Sequence, residues 1–236
     1  MIEIKNVSKS YNGKTKALDN VSFKVPNGKI FAFIGHNGAG KTTLIKMIMG
    51  ILDFDEGDIL VEGKSIKDSP IECKKVMAYL PDNPDLYENM KAIDFINFVC
   101  DMYEVPQTER TKNIEKYAKM FEMQDKLNDD ISSFSHGMKQ KIALIAALAH
   151  NPEVLIMDEP FVGLDPKAVY DMKEVMHEMA KKKKTIFFST HILDVAEKLC
   201  DRVAIIKNGQ IVKCGTMKEI KGDESLEQVF LELGDK

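Results

Sequence analysis

The chain has 236 residues, 44% of them hydrophobic and 30% charged, a balance that supports a buried core and excludes a chain too polar to fold. Its 33 Lys plus Arg stand against 37 Asp plus Glu, a net charge of −4, so no global basic field draws it onto nucleic acid and no nucleic-acid partner is expected. The longest apolar run, Ile142 to Ala149, is far below the roughly 18 to 20 residues that cross a bilayer, so no direct membrane insertion is expected either.

The first residues, Met1-Ile2-Glu3-Ile4-Lys5, alternate like a strand and lack the basic-then-apolar layout of a secretion signal, which predicts a cytosolic chain. Strands are predicted over Ile2 to Asn6, Val21 to Val25 and Ile30 to Ile34, the last a continuous apolar run typical of a strand buried on both faces. A glycine-rich segment follows, then a helix from Lys41 to Met49 with Leu44, Met47 and Ile48 on one face and Gly50 as its stop. From Pro84 to Ala149 the apolar spacing turns helical, through Phe95, Ile96, Val99, Met102 and Tyr103, then Ile114, Tyr117, Ala118 and Phe121, then Ile142, Ile145, Ala146 and Ala149. This reads as an inserted helical subdomain.

Strand signals resume at Val154 to Met157, and Asp165-Pro166 places an N-cap before a first-turn proline, opening a helix with Val169, Met172, Met176 and Met179 on its core face. Thr185 to Ser189 is a further buried strand. Val203 to Cys214 contains Asn208-Gly209 between two apolar runs, a hairpin signal, and Leu226, Val229, Phe230 and Leu233 mark a closing amphipathic helix. Lys181 to Lys184 reads as solvated decoration of a helix end. Cys73, Cys100, Cys200 and Cys214 contain no Cys-x-x-Cys pair and read as buried or partly buried thiols.

Gly35-His36-Asn37-Gly38-Ala39-Gly40-Lys41-Thr42 fits the phosphate-binding pattern Gly-x4-Gly-Lys-Ser/Thr, between a buried strand and a helix as its mechanism requires. Glycines let backbone N–H groups wrap phosphates, the helix N-terminus adds partial positive charge, Lys41 reaches the β and γ groups, and Thr42 ligates Mg²⁺. Val154 to Met157 ends in Asp158-Glu159. Asp158 is suited to hold Mg²⁺ and Glu159 to orient or deprotonate an attacking water; a pair of plain loop acids is the competing reading.

The phosphate loop, Phe134-Ser135-His136-Gly137-Met138-Lys139-Gln140, Asp158-Glu159-Pro160, Gly163-Leu164-Asp165-Pro166 and Ser189-Thr190-His191 follow the order seen in ATP-binding-cassette (ABC) ATPases, and the chain resembles that family over essentially its whole length. The resemblance implies one ABC ATPase domain over 1–236, an α/β P-loop NTPase (RecA-like) core with an antiparallel β subdomain, about 1–83 and 152–223, a helical subdomain, about 84–151, and a C-terminal helix, about 224–234. It assigns catalysis to Lys41, Glu159 and His191, the last contacting the γ-phosphate. ATP would lie on Tyr11 of Ser10-Tyr11-Asn12-Gly13 and on Gly35, His36, Asn37, Gly38, Ala39, Gly40, Lys41, Thr42 and Thr43. Mg²⁺ would lie on Thr42, Asp158 and Asp82. A tyrosine packed on a strand is the alternative for Tyr11.

In the family, Ser135 and Gly137 complete the ATP site of a second subunit, which implies a homodimer or a paired ATPase subunit closing head to tail on ATP. Asp165 matches a dimer-facing acid, although its N-cap position alone accounts for it. Two departures stand out: His136 where the family has glycine, and Asp82 where it has glutamine. Both resemble the exporter branch that handles drugs, antibiotics, lipids or small ions. The implied function is to energise a membrane transporter, its multi-helix permease being a separate chain, from the cytoplasmic face of the membrane. A soluble ABC-type ATPase of cofactor assembly, repair or translation is the alternative. A GTPase is disfavoured because no Asn-Lys-x-Asp motif occurs. Leu86, Tyr87 and Met90 either form a docking surface for the permease or belong to the helical core.

Overall fold

Two long antiparallel strands, β1 (Ile2–Ser10) and β2 (Lys16–Val25), open the chain and overrun their predicted spans. The alternation that should mark them breaks at Asn6 and Asn20, which take φ of 51° and 52° at a register shift and are joined by an Asn6 Nδ2 to Asn20 Oδ1 bond of 2.8 Å. Such a bulge changes which face a residue meets, so a period of two is lost. The computed structural model describes residues 1–234 except 12 and 14; Asn12 of the tyrosine motif lies outside the described residues.

Fully buried β3 (Ile30–Ile34) leads through the glycine loop into α1 (Lys41–Ile48), which stops where Gly50 adopts φ 60°. β4 (Glu56–Val61), β5 (Lys64–Ser65), α2 (Pro70–Lys75) and β6 (Met77–Leu80) are additions to the predicted set. At two to six residues each, they contain too few repeats to register a period. The helical subdomain holds α3 (Ala92–Met102), α4 (Gln107–Met120) and α5 (His136–Ala149), with two short 3-10 turns between α4 and α5. Ile96, Cys100, Ile114, Ala118, Ile142 and Ile145 pack there in a cluster continuous with Ala78 and Leu155 of the sheet.

The remainder is β7 (Val154–Asp158), α6 (Pro166–Lys181), β8 (Thr185–Thr190), α7 (Leu193–Leu199), β9 (Arg202–Lys207), β10 (Gln210–Thr216), α8 (Met217–Lys221) and α9 (Leu226–Gly234). Asp165 caps α6 as expected, its Oδ1 accepting from the Ala168 N–H at 2.8 Å. Asn208 and Gly209, at φ 50° and 78°, make the β9–β10 turn. Among the described residues one sheet is antiparallel, in order β2-β1-β4-β5, and a second runs β10-β9-β3-β8-β7-β6. In the second, β6, β7, β8, β3 and β9 are parallel and only the β9–β10 pairing is antiparallel. Its register sets Ile34 beside Thr190 and Asp158 beside Ser189, so β3, β7 and β8 deliver their carboxyl ends to one edge.

Two expectations need correction. Lys184 is buried, not solvated: its ammonium donates to Asn151 O, Asn151 Oδ1 and Pro152 O at 2.7–2.8 Å. Of the cysteines, Cys73, Cys100 and Cys200 are buried, but Cys214 lies exposed on β10.

His150, just past α5, stacks on Tyr103 with ring centroids 3.7 Å apart, and burial followed by the nearby Lys184 charge pulls its pKa down to about 4. The unfolded chain therefore binds the extra proton first, and the stability present above pH 6.5 is lost as pH falls toward 4. His150→Phe keeps the stack without the titration. Urea unfolding at pH 7 and 4.5 should show the parent losing ~2 kcal/mol more than the variant; parallel losses would place His150 in a wetter setting.

Candidate active site

The phosphate loop bridges β3 and α1 with backbone that only glycine tolerates at several points. Gly40, the residue capping α1, sits at φ 106°, and a Cβ there would come within 2.6 Å of Ala17 O; Gly38 takes φ 79°. Because Gly40 offers no side-chain cap, the first N–H groups of α1 are left to an anion. The loop is braced internally, His36 O accepting from Ala39 N–H at 3.1 Å, and externally, Gly209 N–H donating to Ala39 O at 3.2 Å.

Lys41 folds back over this loop. Its Nζ donates to Gly35 O at 2.7 Å and His36 O at 3.3 Å and stands 3.5 Å from Glu159 Oε1, with only 7% of the side chain exposed. From the neighbouring strand end, Asp158 accepts from Thr42 Oγ1 at 2.7 Å through Oδ2 and from the Ser189 hydroxyl through Oδ1. Ser189 Oγ also accepts from Glu159 N–H at 3.1 Å, so one serine on β8 fixes both members of the acid pair. Glu159 holds a left-handed φ of 46°, uncommon for a residue with a side chain. Its Oε2 lies 3.0 Å from His191 Nδ1 and accepts from His191 N–H at 3.3 Å. One carboxylate thus spans a lysine and a histidine.

Of these groups Lys41, Thr42 and Glu159 line a cleft of about 780 Å³ whose walls also include Tyr11, Asn37, Gly38, Gly40, Thr43, Asp82, Asn208 and Gly209, while Asp158, Ser189 and His191 stand outside its wall. Tyr11 is 59% exposed with its hydroxyl 3.2 Å from Thr43 Oγ1, which removes the reading of a strand-packed tyrosine. Gly35, His36 and Ala39 brace the loop from behind and are absent from the cleft wall. Ser135 and Gly137 are absent from it as well. Ser135 caps α5, its Oγ accepting from Met138 N–H at 3.3 Å, while Gly137 faces the Gly163 carbonyl so closely that a Cβ would sit 3.0 Å away.

Asp165 spends both oxygens within its own chain, one on the cap and the other 2.7 Å from Lys141 Nζ; the Lys141 bond leads in holding its carboxyl below the usual range. Residues not assigned a site role from sequence are Ser189, Thr15 to Ala17 and the Asn208-Gly209 turn. The turn was legible as a turn; that it forms a wall of the cleft depends on tertiary contact.

Thr42 and Asp82 bring hard oxygen donors to this cleft, and Asp158 stands buried behind Thr42 with its Oδ2 on that hydroxyl. Among the described residues no group of three His, Cys, Asp or Glu side chains could cage a metal. That donor set fits magnesium, which takes one or two protein oxygens and completes its shell with water and phosphate.

Residues 18–162 match the family described as ABC transporter. The chain belongs to that family. Over 99% of its length, and 96% of the relative's, this ABC ATPase is 34% identical to the ABC-type transporter ATP-binding protein EcsA of Bacillus subtilis (strain 168). It is 34% identical to the linearmycin resistance ATP-binding protein LnrL of the same organism, over 93% of this chain and 70% of that one. A solved ATP-binding subunit of an ABC transporter superposes with a TM-score of 0.95 at 34% identity, each chain 99% covered. The protein is therefore an ABC transporter ATP-binding subunit and an ATPase, with the mixed α/β cassette fold, its antiparallel sheet and its helical subdomain.

Proposed function

We propose that this ABC ATPase subunit drives an exporter, and that two cassettes close head to tail around two ATP molecules to do so. The observation that carries the reading is the split between the two halves of the machinery. Lys41, Thr42 and Glu159 line the chain's own cleft, with Asp158 bonded to Thr42 behind it, whereas Ser135 and Gly137 at the start of α5 neither line it nor bond to those that do. A helix N-terminus with an exposed serine cap is suited to a γ-phosphate brought by another chain. Either a second copy or a paired ATPase subunit fits this arrangement. The resistance relative and the His136 and Asp82 departures favour export.

In this mechanism Lys41 exchanges its bonds to Gly35 O and His36 O for the β- and γ-phosphates, which places a desolvated ammonium on the developing charge. Thr42, Asp158 and Asp82 would hold Mg²⁺, which supplies charge neutralisation at the phosphates when bound. Glu159 directs a water and accepts its proton. His191 donates to Glu159 and thereby sets the carboxylate's direction. Closure lasts while ATP bridges the two chains and relaxes once the bridging phosphate is cut.

Among the described residues no helix is long and apolar enough to cross a membrane; the subunit reaches the cytoplasmic membrane face by docking on its permease. The trio read from sequence splits: Leu86 is core, Met90 is half-buried and Tyr87 is 61% exposed. Tyr87 meets Phe98, itself 41% exposed, edge-on at 5.8 Å, beside a groove of about 200 Å³ floored by Leu86, Phe95 and Val99. An apolar patch flanked by Asp85 and Glu88 is a docking surface for the permease. Tyr87→Asp should leave nucleotide affinity and Tm unchanged while abolishing co-purification with the permease and its stimulation of ATPase activity. Normal stimulation would move docking elsewhere, and a lowered Tm would mean that the Tyr87 contact with Phe98 supports the fold.

A further inference from the structure

The phosphate loop has a neighbour that its motif does not announce. Phe230, on α9, lies against the ring of His36 with centroids 4.6 Å apart and planes tilted by 52°. His36 belongs to the loop but not to the cleft wall, and its carbonyl accepts from both Ala39 N–H, at 3.1 Å, and Lys41 Nζ, at 3.3 Å. The residue whose ring α9 touches is thus the one whose backbone holds the loop's curvature and its lysine.

α9 is itself fixed at both ends. Leu226 and Val229 are buried, and Leu226 N–H donates to Glu197 Oε2 at 2.8 Å, the same carboxylate that pairs with Lys221 at 2.6 Å. At the far end Lys207 Nζ donates to Leu233 O at 2.7 Å. Lys207 immediately precedes the Asn208-Gly209 turn, and the Gly209 N–H holds Ala39 O at 3.2 Å. The helix therefore bears on the loop twice, through His36 directly and through the strand end that carries the second brace.

We infer that Phe230 is a positioning residue for nucleotide binding, acting through His36 to hold the phosphate loop in its binding shape. A loop already in that shape needs no ordering when phosphate arrives, so loosening it lowers affinity without touching the groups that perform hydrolysis. The size of the effect is bounded by the value of one aromatic contact, roughly three- to tenfold in Kd. The inference rests on the reading that this loop binds the nucleotide.

The test is a titration of the full chain with a fluorescent ATP analogue and Mg²⁺, alongside steady-state ATPase kinetics and thermal melts. Phe230→Ala should weaken binding three- to tenfold and raise KM with kcat within about twofold. Phe230→Tyr should restore parental affinity. In a His36→Ala background the same Phe230→Ala change should have no further effect on Kd, because the contact it removes is already gone. Unchanged affinity in Phe230→Ala, or an equal loss with and without His36, overturns the inference. Should Phe230→Ala melt early, Phe230→Leu keeps apolar bulk without the ring, and a Leu variant that melts and binds like the parent also overturns it. Lys41→Ala in the same titration separates the two levels. If it too binds normally, the loop assignment fails; if only Lys41→Ala weakens binding, the loop assignment stands and the role of Phe230 falls.

Discussion

Glu159→Gln is expected to keep nucleotide affinity at or above the parental level and to lower ATP turnover about a thousandfold. The substitution preserves the volume of the side chain and a carbonyl oxygen able to accept from His191 N–H, now at 3.3 Å from Oε2. It removes the proton acceptor and leaves the loop from Gly35 to Thr42 in place. Removing a negative charge 3.5 Å from Lys41 also frees that ammonium for phosphate, so binding should not suffer. Single-turnover hydrolysis with saturating ATP, together with a direct binding titration, checks both halves. A turnover within tenfold of the parent would assign the water-directing role to another group. Weakened binding would mean that Glu159 is needed to shape the site.

Lys41→Ala should act at the opposite stage, weakening ATP binding by roughly 30- to 150-fold, the value of about 2–3 kcal/mol for a hydrogen bond to charge in a desolvated setting. The Lys41 side chain is only 7% exposed, and its ammonium donates to Gly35 O and His36 O. Taking it away strips those carbonyls of a donor and leaves Glu159 without its cation. A modest drop in Tm, from about 1 kcal/mol of lost bonding, is expected alongside. Calorimetric titration reads the affinity and a melt reads the stability; equal ATP affinity in variant and parent would remove Lys41 from the phosphate site.

The parts of the site legible in the sequence are those set by short-range chemistry. Gly38 is required by positive φ and Gly40 by positive φ and close approach, and the run Val154 to Met157 must be a buried strand, so the residues that follow it arrive at a sheet edge. Ser189, by contrast, joins Asp158 and Glu159 across 30 residues of chain and leaves no local pattern. The ion pairs Lys141–Asp165 and Lys139–Glu88 tie α5 to two distant segments in the same way. Lys184 departs from expectation for a related reason: a run of lysines averages to a solvated face, and only the approach of Asn151 and Pro152 selects one of the four for burial. Tyr11 shows the reverse case, where the sequence offers a strand-packed alternative and the ring stands exposed beside Thr43 instead.

In the proposed dimer the cleft of one chain is completed by α5 of another. Sedimentation velocity of Glu159→Gln tests it most directly, because a chain that binds ATP without cutting it should remain closed. With ATP and Mg²⁺ the 26.7 kDa species should double in mass, it should remain single without nucleotide, and adding Ser135→Arg to Glu159→Gln should prevent the doubling while leaving ATP bound. An ATP-saturated Glu159→Gln chain that stays monomeric, alone and with any paired ATPase subunit, would contradict the two-chain site.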